Sequence, residues 1–197
     1  MLNFHVLRSP FDSDFADRLL AHALENERHF MPSEIYSEET GQVVDRASRQ
    51  SLRLVDFDPL QQEMRTRLAA LLPTLLPEIG VKPFEPGEIE IEMVAHGDGA
   101  RFASHIDMRL GGAPTPRLVT AVYYFHREPR GFEGGAIRFH SVMARGDGPR
   151  HRDLMPEHDS LVVFPAWLPH EVMPVACPSG RFADSRFAVN AWFLRRD

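Results

Sequence analysis

The sequence predicts a mainly β protein with flanking helices, in which a jelly-roll (cupin-like) core carries N-terminal helices on its outer face. Two observations predict this class. In the first third of the chain, apolar residues recur at helical spacing, and from residue 88 onward the apolar period changes to two. Short strand-like segments then alternate with stretches rich in Gly and Pro, which is typical of all-β sandwiches and barrels.

Two segments of the first third have the spacing of amphipathic helices that face a core. Asp12 or Ser13 is expected to cap the first helix, because such a side chain can accept a free backbone N–H. Asp58 is expected to cap the second helix, with Pro59 in its first turn. The apolar positions are Phe11, Phe15, Leu19, Ala23 and Leu24 in the first helix, and Leu60, Met64, Leu68 and Leu71 or Leu72 in the second.

From residue 88 the pattern is that of short strands. The stretch EIEIEMV (88–94) alternates strictly, which predicts that its glutamates point outward and its apolar residues inward. Turn signals such as GGAPTPR and EPRGFEGG separate the later candidates. These further strand candidates are residues 117–125, 134–140, 160–165, 170–175 and 186–193.

Length and composition fit one globular domain. We expect a single domain over residues 1–197, with a helical support region at 1–87 and the jelly-roll core at 88–194. The net charge of −6 argues against a nucleic-acid-binding surface. Cys177 is the single cysteine, and we expect neither a signal peptide nor a membrane span. The expected protein is cytoplasmic and binds neither nucleic acid nor membrane.

The chain contains three His-x-Asp pairs, and a metal site would use at most one of them. His96 and Asp98 lie in HGDG, where a tight turn explains both the aspartate and the glycines. His151 and Asp153 lie in GDGPRHRD, which has the composition of a solvated loop. Neither pair requires a metal.

The third pair, His105 and Asp107, has a partner downstream. His170 begins an apolar strand candidate 65 residues after His105, which leaves room for strands to cross the barrel and return. Two histidines and one carboxylate form the facial triad that suits non-haem Fe(II) and leaves coordination positions open. A closed zinc site would need four ligands, usually cysteines, which this chain lacks. A surface pair without metal is the alternative.

The strand candidate RFAVNAWF carries polar groups on one face. In a strand, Arg186, Asn190 and Trp192 point the same way, together with Ala188. A guanidinium matches a carboxylate bidentately, so Arg186 could hold the far carboxylate of 2-oxoglutarate. Polar groups inside a barrel imply a polar ligand. The alternative is an arginine at a strand end, exposed to water.

Taken together, HIDM, HEVMPV and RFAVNAWF resemble the prolyl-4-hydroxylase-like branch of the Fe(II)/2-oxoglutarate-dependent dioxygenases. The resemblance covers residues 88–194. It implies a double-stranded β-helix, with His105, Asp107 and His170 as the catalytic iron ligands. It also implies Fe(II), 2-oxoglutarate and O2 as cofactors, and suggests ascorbate as an accessory one.

The resemblance also implies a cosubstrate pocket. Arg186 would pair with the far carboxylate of 2-oxoglutarate, and Tyr124 matches a tyrosine that bonds the same group. Arg186 follows His170 by sixteen residues, later than the family's usual spacing, so Arg181 is a rival anchor. His96 stands where the family often has a pocket tyrosine. The other expected pocket residues are Thr120, Val122, Val172, Asn190 and Trp192.

The activity implied is hydroxylation of a prolyl or other aliphatic C–H, with release of succinate and CO2. The substrate could be a peptide, a protein or a small molecule. Candidate lids are residues 108–117 and 141–159, where Arg109 could meet an anionic substrate; solvated loops are the alternative. Two other classes stay open: a non-catalytic cupin-like metal-binding or sensor protein, and a zinc-dependent hydrolase or isomerase on a jelly roll.

Overall fold

The computed structural model describes residues 3–37, 41–45, 47–108, 117–141 and 150–196. The helices are α1 (Phe15–Glu25) and α2 (Leu60–Glu78), and two short 3-10 turns span Glu27–His29 and Phe182–Asp184. The strands, in chain order, are β1 (His5–Arg8), β2 (Met31–Pro32), β3 (Ile35–Ser37), β4 (Gly41–Val43), β5 (Arg49–Gln50), β6 (Leu52–Leu54), β7 (Pro86–His96), β8 (Arg101–His105), β9 (Arg117–Phe125), β10 (Glu133–Gly134), β11 (Ile137–His140), β12 (His151–Leu154), β13 (Ser160–Pro165), β14 (His170–Val172), β15 (Val175–Ala176) and β16 (Arg186–Arg195). Arg109 and much of the two predicted lids lie outside the described residues.

Two antiparallel sheets dominate the described chain. The major sheet has the strand order β1-β13-β9-β16-β7-β6-β2, and the minor sheet has the order β12-β11-β14-β8-β5. Strands β9 and β16 lie at the centre of the major sheet and pair along most of their length. Two further two-stranded ribbons join β10 to β15 and β3 to β4. Antiparallel sheets facing one another are the architecture that the alternating pattern predicts.

Both faces of the major sheet are buried, each against a different layer. On the outer face, Met93 and Ala95 of β7 belong to the same apolar cluster as the buried residues of α1 and α2. On the inner face, Val94 packs in a second cluster with Ile137 and Phe139 of the minor sheet. The helices therefore cover one face of the major sheet, and the minor sheet covers the other.

Strand β7 corrects one prediction of outward glutamates. Glu92 is buried, and its Oε1 lies 2.6 Å from Nη2 of Arg49. Because the outer face of this strand packs on the helices, the alternate residues face the space between the sheets rather than solvent. The alternation of the two faces was predicted correctly, but the face that carries Glu92 is turned to the inside of the barrel.

The helix caps also differ from prediction. Helix α1 begins after Asp14 and helix α2 after Pro59, and neither cap residue makes a side-chain hydrogen bond to the helix. Asp12 contributes its backbone carbonyl to the N–H of Phe15 instead, while its carboxylate pairs with Arg67. Neither helix of the described chain combines the length and apolarity that a membrane span requires.

The first 87 residues contribute strands as well as helices. Strands β1, β6 and β2 extend the major sheet, and β5 forms one edge of the minor sheet. These strands have two to four residues, which is too short for an alternating pattern to stand out in the sequence. The N-terminal region therefore contributes strands to both sheets.

The segment that contains His151 and Asp153 is a strand, not the predicted loop. It forms β12, which pairs with β11 at the edge of the minor sheet. The side chains of His151 and Asp153 are exposed, and exposed strand residues can be as polar as those of a loop. The backbone hydrogen bonds to β11 decide the structure there.

Candidate metal centre and adjoining pocket

The minor sheet brings the three predicted metal ligands together. His105 ends β8, His170 begins β14, and the two residues are paired across these antiparallel strands. Asp107 follows two residues after His105, with its backbone N–H bonded to the carbonyl of Ala166. The ligand atoms that the three side chains offer all lie within 4.8 Å of one another. Nε2 of His105 is 3.6 Å, and Nε2 of His170 is 3.5 Å, from the Asp107 carboxylate.

Backbone carbonyls orient both histidines. Nδ1 of His105 lies 2.8 Å from the carbonyl oxygen of Ala103, and Nδ1 of His170 lies 2.9 Å from that of Leu168. A carbonyl only accepts, so each Nδ1 carries the proton and donates it. Nε2 of each ring is then left with a free lone pair on the side of Asp107. This arrangement is the usual support of a histidine that binds a metal.

The charges of the three side chains suit a divalent cation. Burial opposes ionisation of Asp107, but His170, His105 and the hydroxyl of Thr120 hold the pKa of its carboxyl well below its usual range. Thr120 donates to the carboxylate at 2.7 Å. Burial lowers the pKa of His170 to about 4. At neutral pH the site therefore presents a carboxylate and a neutral imidazole, the forms that bind metal ions.

A pocket opens from these ligands into the space between the sheets. All eight residues predicted to surround the cosubstrate line this pocket, together with the three predicted metal ligands. Arg49, Phe102 and Ile137 complete the lining and were not predicted. The lining residues are Arg49, His96, Phe102, His105, Asp107, Thr120, Val122, Tyr124, Ile137, His170, Val172, Arg186, Asn190 and Trp192.

A fully buried arginine lies in the pocket wall. Arg186 is 2 % exposed, and its Nε donates to the carbonyl of Gly135 at 2.8 Å. Its guanidinium carbon lies 4.8 Å from the centre of the Tyr124 ring. Among the described residues, no carboxylate lies within ion-pair distance of Arg186, although a buried charge normally needs one. The pocket thus contains an unpaired positive charge.

Unpaired hydrogen-bonding groups surround this arginine. Arg186 Nη1 lies 3.3 Å from Nδ1 of His96, which must accept, so the proton of His96 is on Nε2. Burial, with help from Arg186 and Arg49, lowers the pKa of His96 well below its usual value, so the ring is neutral. Nε2 of His96, the hydroxyl of Tyr124 and Nε1 of Trp192 are buried and have no hydrogen-bond partner in the described part of the chain. A ligand with acceptor atoms could therefore bond to these three groups and to the guanidinium of Arg186.

Arg49 enters the wall from the N-terminal region. Its guanidinium pairs with Glu92 and lies 5.0 Å from the centre of the Phe102 ring, which in turn stacks on the His105 ring with centroids 3.7 Å apart. Asn190 donates to the same Glu92 carboxylate at 3.4 Å. No sequence pattern marks Arg49, because it lies on a two-residue strand far from the motifs. Phe102 and Ile137 lie on or beside predicted segments, but nothing marked them as pocket residues.

The rival anchor and the other His-x-Asp members lie elsewhere. Arg181 pairs with Asp184 and has a side chain 65 % exposed, so it does not line the pocket. Asp98 accepts the backbone N–H of Cys177 at 2.8 Å, consistent with its turn role. Asp153 forms an ion pair with Arg138.

Comparison with known families gives a clear match. A family model described as the 2OG-Fe(II) oxygenase superfamily matches residues 91–194. An uncharacterized PKHD-type hydroxylase from Synechocystis sp. is 38 % identical over 138 residues, which are 68 % of this chain and 45 % of that protein. The chain therefore spans less than half the length of this relative.

Solved structures share the fold. A prolyl-4-hydroxylase from Pseudomonas putida has a TM-score of 0.72 and 22 % identity, over 100 % of this chain and 94 % of that one. A prolyl hydroxylase from Trichoplax adhaerens, in complex with a hypoxia inducible factor oxygen degradation domain peptide fragment, has a TM-score of 0.67 and 18 % identity, over 98 % and 84 %. These likenesses confirm the predicted double-stranded β-helix with helices on its outer face.

Proposed function

Because this chain belongs to the 2OG-Fe(II) oxygenase superfamily, a family of 2-oxoglutarate-dependent dioxygenases, we propose that it hydroxylates an aliphatic C–H bond and releases succinate and CO2. The family implies Fe(II), 2-oxoglutarate and O2 as cofactors. A prolyl residue is the proposed target, since the structures named above are prolyl hydroxylases, one of them with a bound peptide. Ascorbate stays a prediction.

His105, Asp107 and His170 are the residues proposed to hold Fe(II). Their donor set of two imidazoles and one carboxylate fits ferrous iron, and their convergence within 4.8 Å supports this assignment. When bound there, iron with 2-oxoglutarate and O2 would supply the oxidising power for the C–H bond. The chain supplies the orientation of the ligands: Ala103 and Leu168 fix the two rings, and Thr120 holds the carboxylate.

The observation that carries the proposal is the unpaired charge of Arg186. A buried guanidinium without a carboxylate partner is costly, and an anionic ligand would satisfy it. Tyr124 and His96 offer further donors to that anion. Thr120 beside the metal ligands and Tyr124 beside Arg186 lie on the same face of β9 and line one pocket. A small dicarboxylate bound in this pocket would have one carboxylate near the metal ligands and the other near Arg186, as 2-oxoglutarate requires.

The remaining pocket side chains exclude water. Val122, Val172 and Ile137 present apolar surface between the metal ligands and Arg186. Trp192 closes one side, and Arg117 stacks over its ring at 3.9 Å. Water excluded in this way would strengthen the hydrogen bonds made to a bound cosubstrate. The apolar walls and the polar ends together match a molecule that is charged at both ends.

The proposal is tested without O2. Apo-protein loaded with Fe(II) and titrated with 2-oxoglutarate is expected to give the visible charge-transfer band of the chelate. His105→Ala should abolish the band, and Arg186→Ala should raise the 2-oxoglutarate concentration needed at least tenfold, because the anion loses its charged partner. Arg181→Ala is the matched control, since that arginine is paired with Asp184 outside the pocket.

The outcomes separate the alternatives. No band in folded, iron-loaded protein would overturn the dioxygenase assignment and favour the metal-binding or sensor class. A shift in Arg181→Ala in place of Arg186→Ala would move the anchor to the rival. If the band appears, succinate release with proline-containing peptides and with free metabolites, with and without ascorbate, identifies the substrate class.

A further inference from the structure

A second group of metal-binding side chains lies at the far end of β9 and β13. These strands pair antiparallel with Ser160 opposite Tyr124. Continued by two residues, this register places His158 opposite His126, and the backbone N–H of His126 donates to Nδ1 of His158 at 3.2 Å. Glu128 follows in the turn, with Oε1 3.3 Å from Nδ1 of His126. The ligand atoms of the three side chains lie within 4.8 Å of one another.

The donor set equals that of the proposed iron site, with two imidazoles and one carboxylate. Such sites suit borderline divalent ions of the zinc class. His126 is 3 % exposed and burial lowers its pKa, so the ring is neutral at pH 7 and able to bind a metal. Its Nδ1 lies 3.0 Å from the carbonyl oxygen of Arg127. Oε1 of Glu128 faces the same nitrogen, so an ion at Nδ1 would replace the hydrogen bond to Arg127 and leave the ring proton on Nε2.

The other ring nitrogen of His126, Nε2, is buried. It would carry the ring proton when an ion binds Nδ1. Glu128 has a side chain 65 % exposed, so an ion held there could complete its coordination with water. Coordination by Nδ1 of His158 would replace the hydrogen bond that this atom now accepts.

We propose that His126, Glu128 and His158 bind a divalent transition-metal ion at a second site, separate from the proposed iron centre. His126 follows the last residue of β9 and is six residues beyond Thr120, about 20 Å of extended chain, so one ion could not serve both sites. The ion would tie the turn after β9 to the turn before β13. The expected role is structural, and the site is independent of the activity proposed above.

The test counts the metal ions bound per chain of residues 1–197. Equilibrium dialysis against Zn(II), followed by elemental analysis, is expected to give two ions per chain in the wild type. Glu128→Gln and His158→Ala should each give one, and so should Asp107→Ala, which removes the other site. Glu128 is exposed, so its substitution leaves the fold intact. His151→Ala, at an exposed histidine of β12, is the control and should keep two ions.

Thermal unfolding gives an independent readout. In Asp107→Ala, Zn(II) should raise the melting temperature, because an ion that binds only the folded state stabilises it. Adding His158→Ala should abolish that rise. One ion per chain in the wild type, or a second ion that survives in both Glu128→Gln and His158→Ala, would overturn the second site. Loss of binding in Asp107→Ala concerns only the iron centre, so the two proposals fail separately.

Discussion

At the scale of single residues, Arg186 depends on a glycine for its position. Gly135 accepts a hydrogen bond from Nε of Arg186 and has a φ of +67°. A Cβ at this position would lie 2.7 Å from Cδ of Arg186 and 3.0 Å from Cγ2 of Val175. Real Cβ atoms do not approach so closely, so any side chain here must displace the arginine. The anchor of the proposed cosubstrate is therefore set by a residue without a side chain.

Gly135→Ala is expected to weaken binding of 2-oxoglutarate as well as to destabilise the fold. Gly180→Ala is the matched control, because Gly180 has a φ of +64° but no atom within 4 Å of its added Cβ. Both variants should lose about 1–2 kcal/mol from backbone strain. Only Gly135→Ala should also need more 2-oxoglutarate for the anaerobic charge-transfer band. Equal cosubstrate affinity in the two variants would contradict the role of Gly135.

The residue scale also shows what the sequence could predict. Tyr124 and Arg186 could be placed in the pocket because alternate residues of a strand share a face. Arg49 could not, since it reaches the pocket through pairing of two strands that are distant in sequence. Glu92 was assigned to solvent because a period of two separates the faces of a strand but does not say which face is enclosed.

At the scale of elements, a buried ion pair ties the N-terminal region to the barrel. Arg49 on β5 belongs to the minor sheet, and Glu92 on β7 belongs to the major sheet. Both side chains are 8 % exposed, and Ser51 and Asn190 satisfy further atoms of the pair. The pair therefore joins the two sheets from inside, next to the pocket.

Glu92→Ala is expected to destabilise the protein strongly, by roughly 3–5 kcal/mol, because it leaves Arg49 buried without its counterion. Arg49→Met combined with Glu92→Leu should lose much less, since both charges then leave the interior together. Urea unfolding of the single and double variants measures the difference. A double variant as unstable as Glu92→Ala would show that packing, rather than the unpaired charge, is the cause.

Elements were predictable where they are long. Strands β9 and β13 have the predicted bounds, because each carries an uninterrupted run of residues that favour strands. Strands β2, β5 and β6 were missed, since two or three residues carry no period and only their partners make them strands. The caps were misplaced because backbone carbonyls, not the expected aspartate side chains, start both helices.

At the scale of the whole molecule, buried neutral histidines link stability to pH. Burial lowers the pKa of His96, His126 and His170, and that of His170 falls to about 4. An unfolded chain has histidines that titrate near 6.5. Below pH 6.5 the histidines of the unfolded state therefore bind protons, whereas the buried rings of the folded state stay neutral. The stability that these neutral rings contribute is lost as the pH falls toward 4.

Metal-free protein is accordingly expected to lose stability progressively between about pH 6.5 and 4, and to be most stable above that range. Urea unfolding at pH 8, 6 and 5 measures the trend. Saturating Zn(II) should oppose it at the mildly acidic end, because bound metal holds the imidazoles in their neutral form. Stability that stays constant, or rises, from pH 6.5 to 5 would contradict this reading of the buried rings.

Strand β9 and the residue after it connect three of the features described above. Thr120 and Tyr124 on this strand, and His126 directly after it, lie next to the proposed iron ligands, Arg186 and the second proposed metal site in turn. A side-chain period of two means that one inserted or deleted residue within this strand would turn the side chains on one side of the change to the opposite face, and the contacts that they make there would be lost. The loops of this chain can therefore gain or lose residues, whereas β9 cannot change in length without losing at least one of these three contacts.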